Sequence, residues 1–573
     1  MFRRVFSLFI ALCLLSSLCL TVLAETWYLD EGDISIGFNQ ENKQCVTQGT
    51  NAPKEDASPT ITLSEGVKET SNTISVSSSE GQTAQFTVQD VVIVTDQNTS
   101  GIDIKNGSTV EMTVSGTNTI DTVKEGSSGG NAATVHVGNA DLTIKGDGNG
   151  NNVLNVNDNG TYHASQGAAI GSNGGEDFSG TITITGDVEV KGEGAYNGAG
   201  IGSGRNGDFN GKLIVTDGAS VNGDCAQNAA AIGAGEGGDF NGKVTIKDAS
   251  VVATSYNNGA GIGAGYNGDF TGDVFIENSD VYARAGYSKS GGVSGNAAGI
   301  GAGYCGDYDT HGDFTGNVII KDSTVEAVAL GRGAGIGAGG DGGEGFSTEF
   351  SGKVTIDNSD VTATSFGLGT SIGAPTENGV FSGSIEVTGD SNLTLVDRLN
   401  KEMGDEALLG TNGTNTGKIT IEDSVQVNAW SGEYDSNKVT GDRESYREAL
   451  KSGSYTPVNT NNLDPIVGDG AKVNAVIVPK PAAPAKESTH ARTVDTFWFD
   501  LEKQIMAAKK GDVITVDAKY RTSIPTRILE LVTEYEVTLI IKWNGGDDIT
   551  VKPDHGIESN AAAIQLAALQ KQI

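Results

Sequence analysis

Apolar and polar residues alternate in short runs along most of this chain. GKVTIKD (Gly242 to Asp248), GDVFIEN (Gly272 to Asn278), GNVIIKD (Gly316 to Asp322) and GKVTIDN (Gly352 to Asn358) each place two apolar residues on one face. The pairs are Val244 with Ile246, Val274 with Ile276, Val318 with Ile320, and Val354 with Ile356. Alternation at period two predicts half-buried strands. An Asp, Asn or Ser follows as a turn residue. A second alternating run comes next (SVVATS, SDVYARA, STVEAVA or SDVTATS), with its apolar position at Val251, Val281, Val325 and Val361. A third short segment of the type AGIGAG completes each trio.

The trios repeat. Ile170, Ile201, Ile232, Ile262, Ile300, Ile336 and Ile372 are each followed by a phenylalanine: Phe178, Phe209, Phe240, Phe270, Phe314, Phe350 and Phe381. Successive Ile spacings are 31, 31, 30, 38, 36 and 36, so the unit is about 31 residues. Insertions such as Tyr287 to Gly295 and Cys305 to His311 lengthen it. One unit of three short strands cannot bury its apolar face, whereas stacked units pair each strand with its counterpart in the next rung. The expected fold is therefore mainly β, a parallel β-helix (β-solenoid), with rungs about 4.8 Å apart and seven of them spanning roughly 34 Å. Right-handed crossovers are the default for parallel strands, so a right-handed coil is expected.

Organisation follows from where the pattern starts and stops. Arg3 and Arg4, the apolar run from Val5 and Val22-Leu-Ala24 read as a signal peptide over 1–24. Residues 25–100 read as an N-terminal cap and first coils, and 101–430 as the parallel β-helix, with the Gly-rich repeats over 165–395. GKITIEDSVQVNAW is its last expected coil. Residues 431–477 read as a C-terminal cap over an otherwise open stack, which would invite aggregation. Residues 478–493, VPKPAAPAKES and its continuation, form a Pro/Ala linker. Residues 494–573 read as a small α+β domain. It contains a helix over VDTFWFDLEKQIMAAKKG, a strand DVITVDA, a helix PTRILELVTEY, a hairpin through Gly545-Gly546 and a final helix over SNAAAIQLAALQKQI.

Charge narrows the partners. The formal net charge is −35, which repels nucleic acid and anionic lipid and favours cations. The expected location is extracellular, secreted or non-covalently associated with the cell surface, since no LPxTG-type motif stands near the C-terminus and no apolar run after the leader is long enough to span a membrane. The mature cysteines Cys45, Cys225 and Cys305 are too few and too scattered for a disulfide or zinc framework.

Gly263-Ala-Gly265-Tyr-Asn-Gly268 matches the spacing of a dinucleotide loop. However, the same spacing recurs from Gly202, Gly233, Gly301 and Gly337, and a strand follows where a helix is needed. Glycine here permits positive φ and close backbone approach. The Phe series is expected as an internal stack, with an external sugar-stacking ladder as the alternative. The acids before each Phe (Asp177, Asp208, Asp239, Asp269 and Asp313, then Glu349) should stack rung over rung. Two readings stand: a calcium-binding ladder, or carboxylates that accept hydrogen bonds from their own turn amides. Ca²⁺ is thus a candidate cofactor and these five aspartates are candidate metal ligands. Tyr266 and Tyr304, in neighbouring turns, are candidates for an exposed sugar-binding platform, although Arg205 and Glu236 hold the matching position in earlier rungs. The outward positions of the first strand (Thr183, Ile214, Thr245, Phe275, Ile319, Thr355, Glu386) are no regular Thr ladder of an ice-binding face, and their apolar members need cover. His136, His163 and His311 are scattered, and no nucleophile-elbow, zincin or triad pattern appears.

The repeated A-G-I-G-x-G…G-x-V-T-I…V-x-A unit resembles secreted, glycine-rich parallel β-helix surface proteins of anaerobic Gram-positive bacteria, of pectate-lyase-like solenoid shape. GIDIKNGSTVEMTVSGTNTI and GAAIGSNGG more loosely resemble a β-helical carbohydrate-binding family. That resemblance implies calcium and an acidic polysaccharide as partners. The expected function is a non-catalytic adhesin or glycan-binding solenoid. A β-helix polysaccharide lyase or glycoside hydrolase is one alternative. A passive spacer carrying the C-terminal module is the other.

Overall fold

The computed structural model describes residues 25–573 except 97, 123–129, 159–165, 226, 287–294, 307–311, 341–346, 368–369, 376–377, 397–406, 432–442, 452, 459–462, 468–473, 479–496, 520–522, 544–546 and 556–562. The expected signal peptide, the linker after Val478, His163, His311 and most of both long insertions lie outside those residues.

The repeat builds a parallel β-solenoid of about 11 turns. One coil shows the plan. Strand Lys243–Lys247 pairs with Lys212–Thr216 below and Asp273–Glu277 above. Strand Ser250–Ser255 pairs with Ser220–Cys225 and Asp280–Ala285. The AGIGAG segment contributes only the two residues Ile262–Gly263, between Ile232–Gly233 and Ile300–Gly301. All these pairings are parallel, and repeated around the coil they give three long sheets, here called the first, second and third.

Register is in step, so like residues stack. Val244, Ile246, Val251, Ile262 and Phe270, with their counterparts in other rungs, are fully buried in one continuous core. The seven phenylalanines form an internal file, each 0% exposed. Neighbouring rings are 4.6–5.3 Å apart and nearly parallel in mid-file, with 3°, 5° and 2° between planes from Phe209 to Phe314. The rung repeat sets that spacing.

Glycine's role is steric. Gly263 has φ +142°, and a Cβ there would meet the Gly301 carbonyl oxygen at 1.9 Å. A Cβ on Gly265 would meet the Gly235 oxygen at 1.8 Å. Two glycines of the dinucleotide-like spacing are thus required by backbone passing over backbone. After Gly268 the chain enters strand Asp273–Glu277 rather than a helix.

Both ends of the stack are covered. Near the start, Ile34–Phe38 pairs antiparallel with Gln44–Gln48, which pairs antiparallel with Lys54–Glu55, closing the third sheet. At the other end, Ser454–Pro457 lies antiparallel to Gln426–Ser431. The first sheet runs one strand beyond the coil expected as last, because Asn474–Val478 pairs in parallel with Lys418–Glu422. NAVIV continues the alternation, but the sequence before it lacks the glycine signature. Helix Arg443–Lys451 lies against the outward face of the second sheet, where Tyr446 and Leu450 pack with Tyr282, Val328, Phe366, Val396 and Trp430. The second sheet is therefore buried on both faces there.

The C-terminal module has its own core. Leu501 and Ile505 of helix Phe497–Ala507 join Ile528, Leu531 and Val532 of helix Thr526–Glu534, together with Leu539 and Ile541. Val513–Lys519 pairs in parallel with Thr538–Trp543, which turns back on Ile549–Val551. The final helix is shorter than expected. Ala563–Gln565 pairs antiparallel with Ser523–Pro525, and the helix occupies Leu566–Gln572. No described helix is long and apolar enough to cross a membrane.

Candidate functional site

The turn after each Ile-Gly step gathers the predicted site residues on one edge of the solenoid. In Gly265-Tyr266-Asn267-Gly268-Asp269-Phe270 the Gly268 N–H donates to the Gly265 carbonyl at 3.0 Å. Asn267 takes φ 62°, a left-handed conformation that Asn tolerates. The Asn267 N–H donates to the Tyr304 carbonyl at 2.8 Å, and the Gly237 N–H to the Tyr266 carbonyl at 2.8 Å. These bonds make Glu236, Tyr266 and Tyr304 neighbours in one file.

The two tyrosine rings sit 5.6 Å apart, tilted by 37°, and both residues are half-buried. A Cβ on Gly306 would collide with the Tyr266 hydroxyl, so glycine there makes room for the ring. Earlier in the file, Arg205 Nη2 stands 3.4 Å from Glu236 Oε1, and Asn228 Nδ2 donates to Glu236 Oε2 at 3.2 Å. Consecutive rungs thus present a guanidinium, a carboxylate and two phenol rings along the edge.

The aspartate file runs beside it. Asp177 Oδ1 accepts the Asp208 N–H, Asp208 Oδ1 the Asp239 N–H, Asp239 Oδ1 the Asp269 N–H, and Asp269 Oδ1 the Asp313 N–H, each at 2.9 Å. Asp313 Oδ1 then accepts the Glu349 N–H at 2.7 Å. The carboxylates do accept turn amides, but those of the next rung rather than their own. In return, each Phe N–H donates to the carbonyl of the next acid, as Phe240 does to Asp269 at 2.9 Å. Each acid therefore stitches one coil to the next. Burial pushes the Asp239 carboxyl up, the Asp269 amide pulls it down, and the charge of Asp208 pushes it up again.

One oxygen of each of these carboxylates is thus engaged with the amide of the next rung. The other oxygen of Asp177 stands 3.4 Å from Asn210 Nδ2. Calcium gathers about six to eight oxygens around a point. The aspartates form a line, and among the described residues no group of three or more His, Cys, Asp and Glu side chains is placed to hold a metal ion. Just beyond the Phe file, Asn241 Nδ2 donates to Asn210 Oδ1 at 3.1 Å and Thr271 Oγ1 to Asn241 Oδ1 at 2.6 Å, forming an exposed polar stripe.

Two charged clusters give no local sequence signal. His136 lies between Asp103, 2.9 Å from Nδ1, and Glu176, 3.0 Å from Nε2. Burial alone would lower its pKa, but the two carboxylates overcome this and raise it to about 9. Asp103 is held down to about 2, chiefly by its hydrogen bond to His136. With both ring nitrogens engaged, the imidazolium is a staple rather than a base. Arg443, on the cap helix, forks onto Asp280 at 2.7 and 2.8 Å and donates to Glu326 at 2.7 Å, while Arg447 reaches the other Glu326 oxygen at 2.7 Å. Burial works to raise Glu326, but the two guanidiniums hold it at about 2. These partners are 33 to 163 residues apart, so only the fold brings them together.

Comparison of the chain with known families, curated proteins and solved structures found no match.

Proposed function

We propose that this protein is a non-catalytic, extracellular glycan-binding solenoid, acting as an adhesin through the edge that carries Tyr266 and Tyr304. The observation that supports this reading is the tyrosine pair, two half-buried rings on adjacent rungs of a rigid stack. Such rings offer flat apolar faces for sugars. The neighbouring Arg205, Glu236, Asn241 and Thr271 add donors and acceptors suited to sugar hydroxyls, and a repeating edge suits a repeating polymer. Because the elements are fixed by the core, the platform is pre-ordered and little conformational entropy is lost on binding. Calcium has a limited place in this reading, since one oxygen of each aspartate already holds the next coil.

The test is a glycan array probed with the full chain, with and without calcium. Binding to a defined set of oligosaccharides supports the proposal. Absence of binding in both conditions, or release of unsaturated or newly reducing sugars from the bound polymer, contradicts it.

A further inference from the structure

The C-terminal module meets the solenoid through a contact that involves no residue of the tyrosine edge. Arg447 Nη1, on the cap helix Arg443–Lys451, donates to Glu530 on helix Thr526–Glu534 of the module. The two residues are 83 apart in sequence. The Arg447 side chain is 14% exposed and that of Glu530 41%.

The module's side of this contact is polar. Helix Thr526–Glu534 turns Ile528, Leu529, Leu531 and Val532 into the module's own core. That core shares no residue with the core of the solenoid or with the apolar cluster under the cap helix. Around Glu530 the helix carries charge instead, with Arg527 3.6 Å from Glu530 and 3.7 Å from Glu534. Among the described residues, Arg447–Glu530 is the one ion pair that joins module and solenoid.

Arg447 is pre-positioned for this contact. Its Nε is tied to Glu326 of the second sheet at 2.7 Å, so little side-chain entropy is left to lose when Glu530 arrives. Its Nη2 is buried without a hydrogen-bond partner, so the cap alone does not satisfy the guanidinium. A fixed cation with donors to spare is a ready acceptor site for a carboxylate.

We infer that the C-terminal module is a releasable arm, docked on the cap helix by the Arg447–Glu530 pair and able to leave it without unfolding either unit. An ion pair with one half-exposed partner adds little net free energy. No apolar cluster of the described residues crosses the junction to reinforce it. Relative motion is the expected behaviour of domains whose interface is neither large nor hydrophobic. Each unit keeps its own core whether docked or released, so release exposes neither core.

The test is small-angle X-ray scattering of the full chain at two salt concentrations. At about 0.15 M the screening length is about 8 Å, which damps long-range repulsion between two acidic units but leaves a contact pair in place. At about 1 M it falls to about 3 Å and the pair weakens as well. The expected result is a longest dimension that grows by about 10 Å or more at the higher salt, on the order of the radius of gyration of a domain of this size. Glu530→Lys should show the longer dimension already at the lower salt, and Glu530→Gln should fall between it and the parent. A melting profile like the parent's shows that these variants stay folded, and the salt comparison on the parent needs no substitution. Equal dimensions of parent and Glu530→Lys at the lower salt overturn the inference, as does a parent whose longest dimension ignores salt. Glycan affinity of Glu530→Lys should match the parent's, so failure here is separate from failure of the glycan reading.

Discussion

Asp239 accepts the backbone N–H of Asp269 at 2.9 Å, across the gap between two coils. The same bond recurs from Asp177 through Glu349, so the acidic file is part of how the coils hold together. Replacing Asp239 by Ala removes an acceptor from a half-buried amide and should cost about 1–2 kcal/mol. Asn keeps an acceptor and removes the repulsion from Asp208, so Asp239→Asn should be neutral or slightly stabilising at pH 7. Because the folded pKa of Asp239 is raised, its contribution is present below the unfolded value of 3.8 and is lost as pH rises through the folded value. Urea denaturation of both variants at pH 4 and pH 7 checks the sign. An Asn variant much weaker than the parent at pH 7 would show that the negative charge itself is needed.

The phenylalanine file runs through the main core. Phe270 is fully buried between Phe240 and Phe314, at 4.8 and 4.7 Å. Phe270→Ala should destabilise by about 3–5 kcal/mol, whereas Phe270→Leu should lose less. The denaturation midpoints of the two variants, compared with the parent, measure the difference.

The His136 staple predicts an alkaline loss of stability. Its pKa rises from 6.5 unfolded to about 9 folded, so its contribution is complete below pH 6.5 and disappears as pH climbs through 9. That contribution is at most about 3 kcal/mol, because a tenfold gain in proton affinity is worth about 1.4 kcal/mol. His136→Gln should flatten the fall in melting temperature between pH 6.5 and 9.5. An NMR titration of the His136 ring with a midpoint near 6.5 would contradict the staple.

Arg443 forks onto Asp280 and also donates to Glu326, and both acids are nearly inaccessible to solvent. Arg443→Ala leaves the buried Asp280 carboxylate without its guanidinium and Glu326 with Arg447 alone, and should cost about 3–5 kcal/mol. Asp280→Asn combined with Arg443→Met should recover part of the loss, because no unmatched charge then remains in the cap. Thermal melts of the single and combined variants decide whether the cap helix is held by this cluster.

What is legible in the sequence follows from period. Ile262, Phe270 and Val244 recur at one interval with like neighbours, so their stacking and burial can be read directly from spacing. Gly263 and Gly265 can be separated from a phosphate loop because a strand follows them. Spacing locates the aspartate file correctly but not its bonding partner. Position along one coil cannot tell whether a carboxylate reaches its own turn or the turn of the next coil. Strand Asn474–Val478 escapes the pattern because the sequence before it lacks the glycine signature of the repeat. His136 and Arg443 carry no periodic signal, since each occurs once and finds its acids only when distant coils are stacked. Tyr266 and Tyr304 are visible as candidates, but their 5.6 Å approach needs the register of the turns.

The measurement that tests the central claim most directly is glycan affinity of a Tyr266→Ala, Tyr304→Ala double variant against the parent, using the best ligand found for the full chain. Both side chains are half-buried at a turn outside the main core, so the melting temperature should move by only a few degrees. The account predicts that affinity falls at least about tenfold, a loss of roughly 1.4 kcal/mol or more. It also predicts that adding calcium does not restore binding. Unchanged affinity in the folded double variant would contradict the assignment of this edge as the binding site.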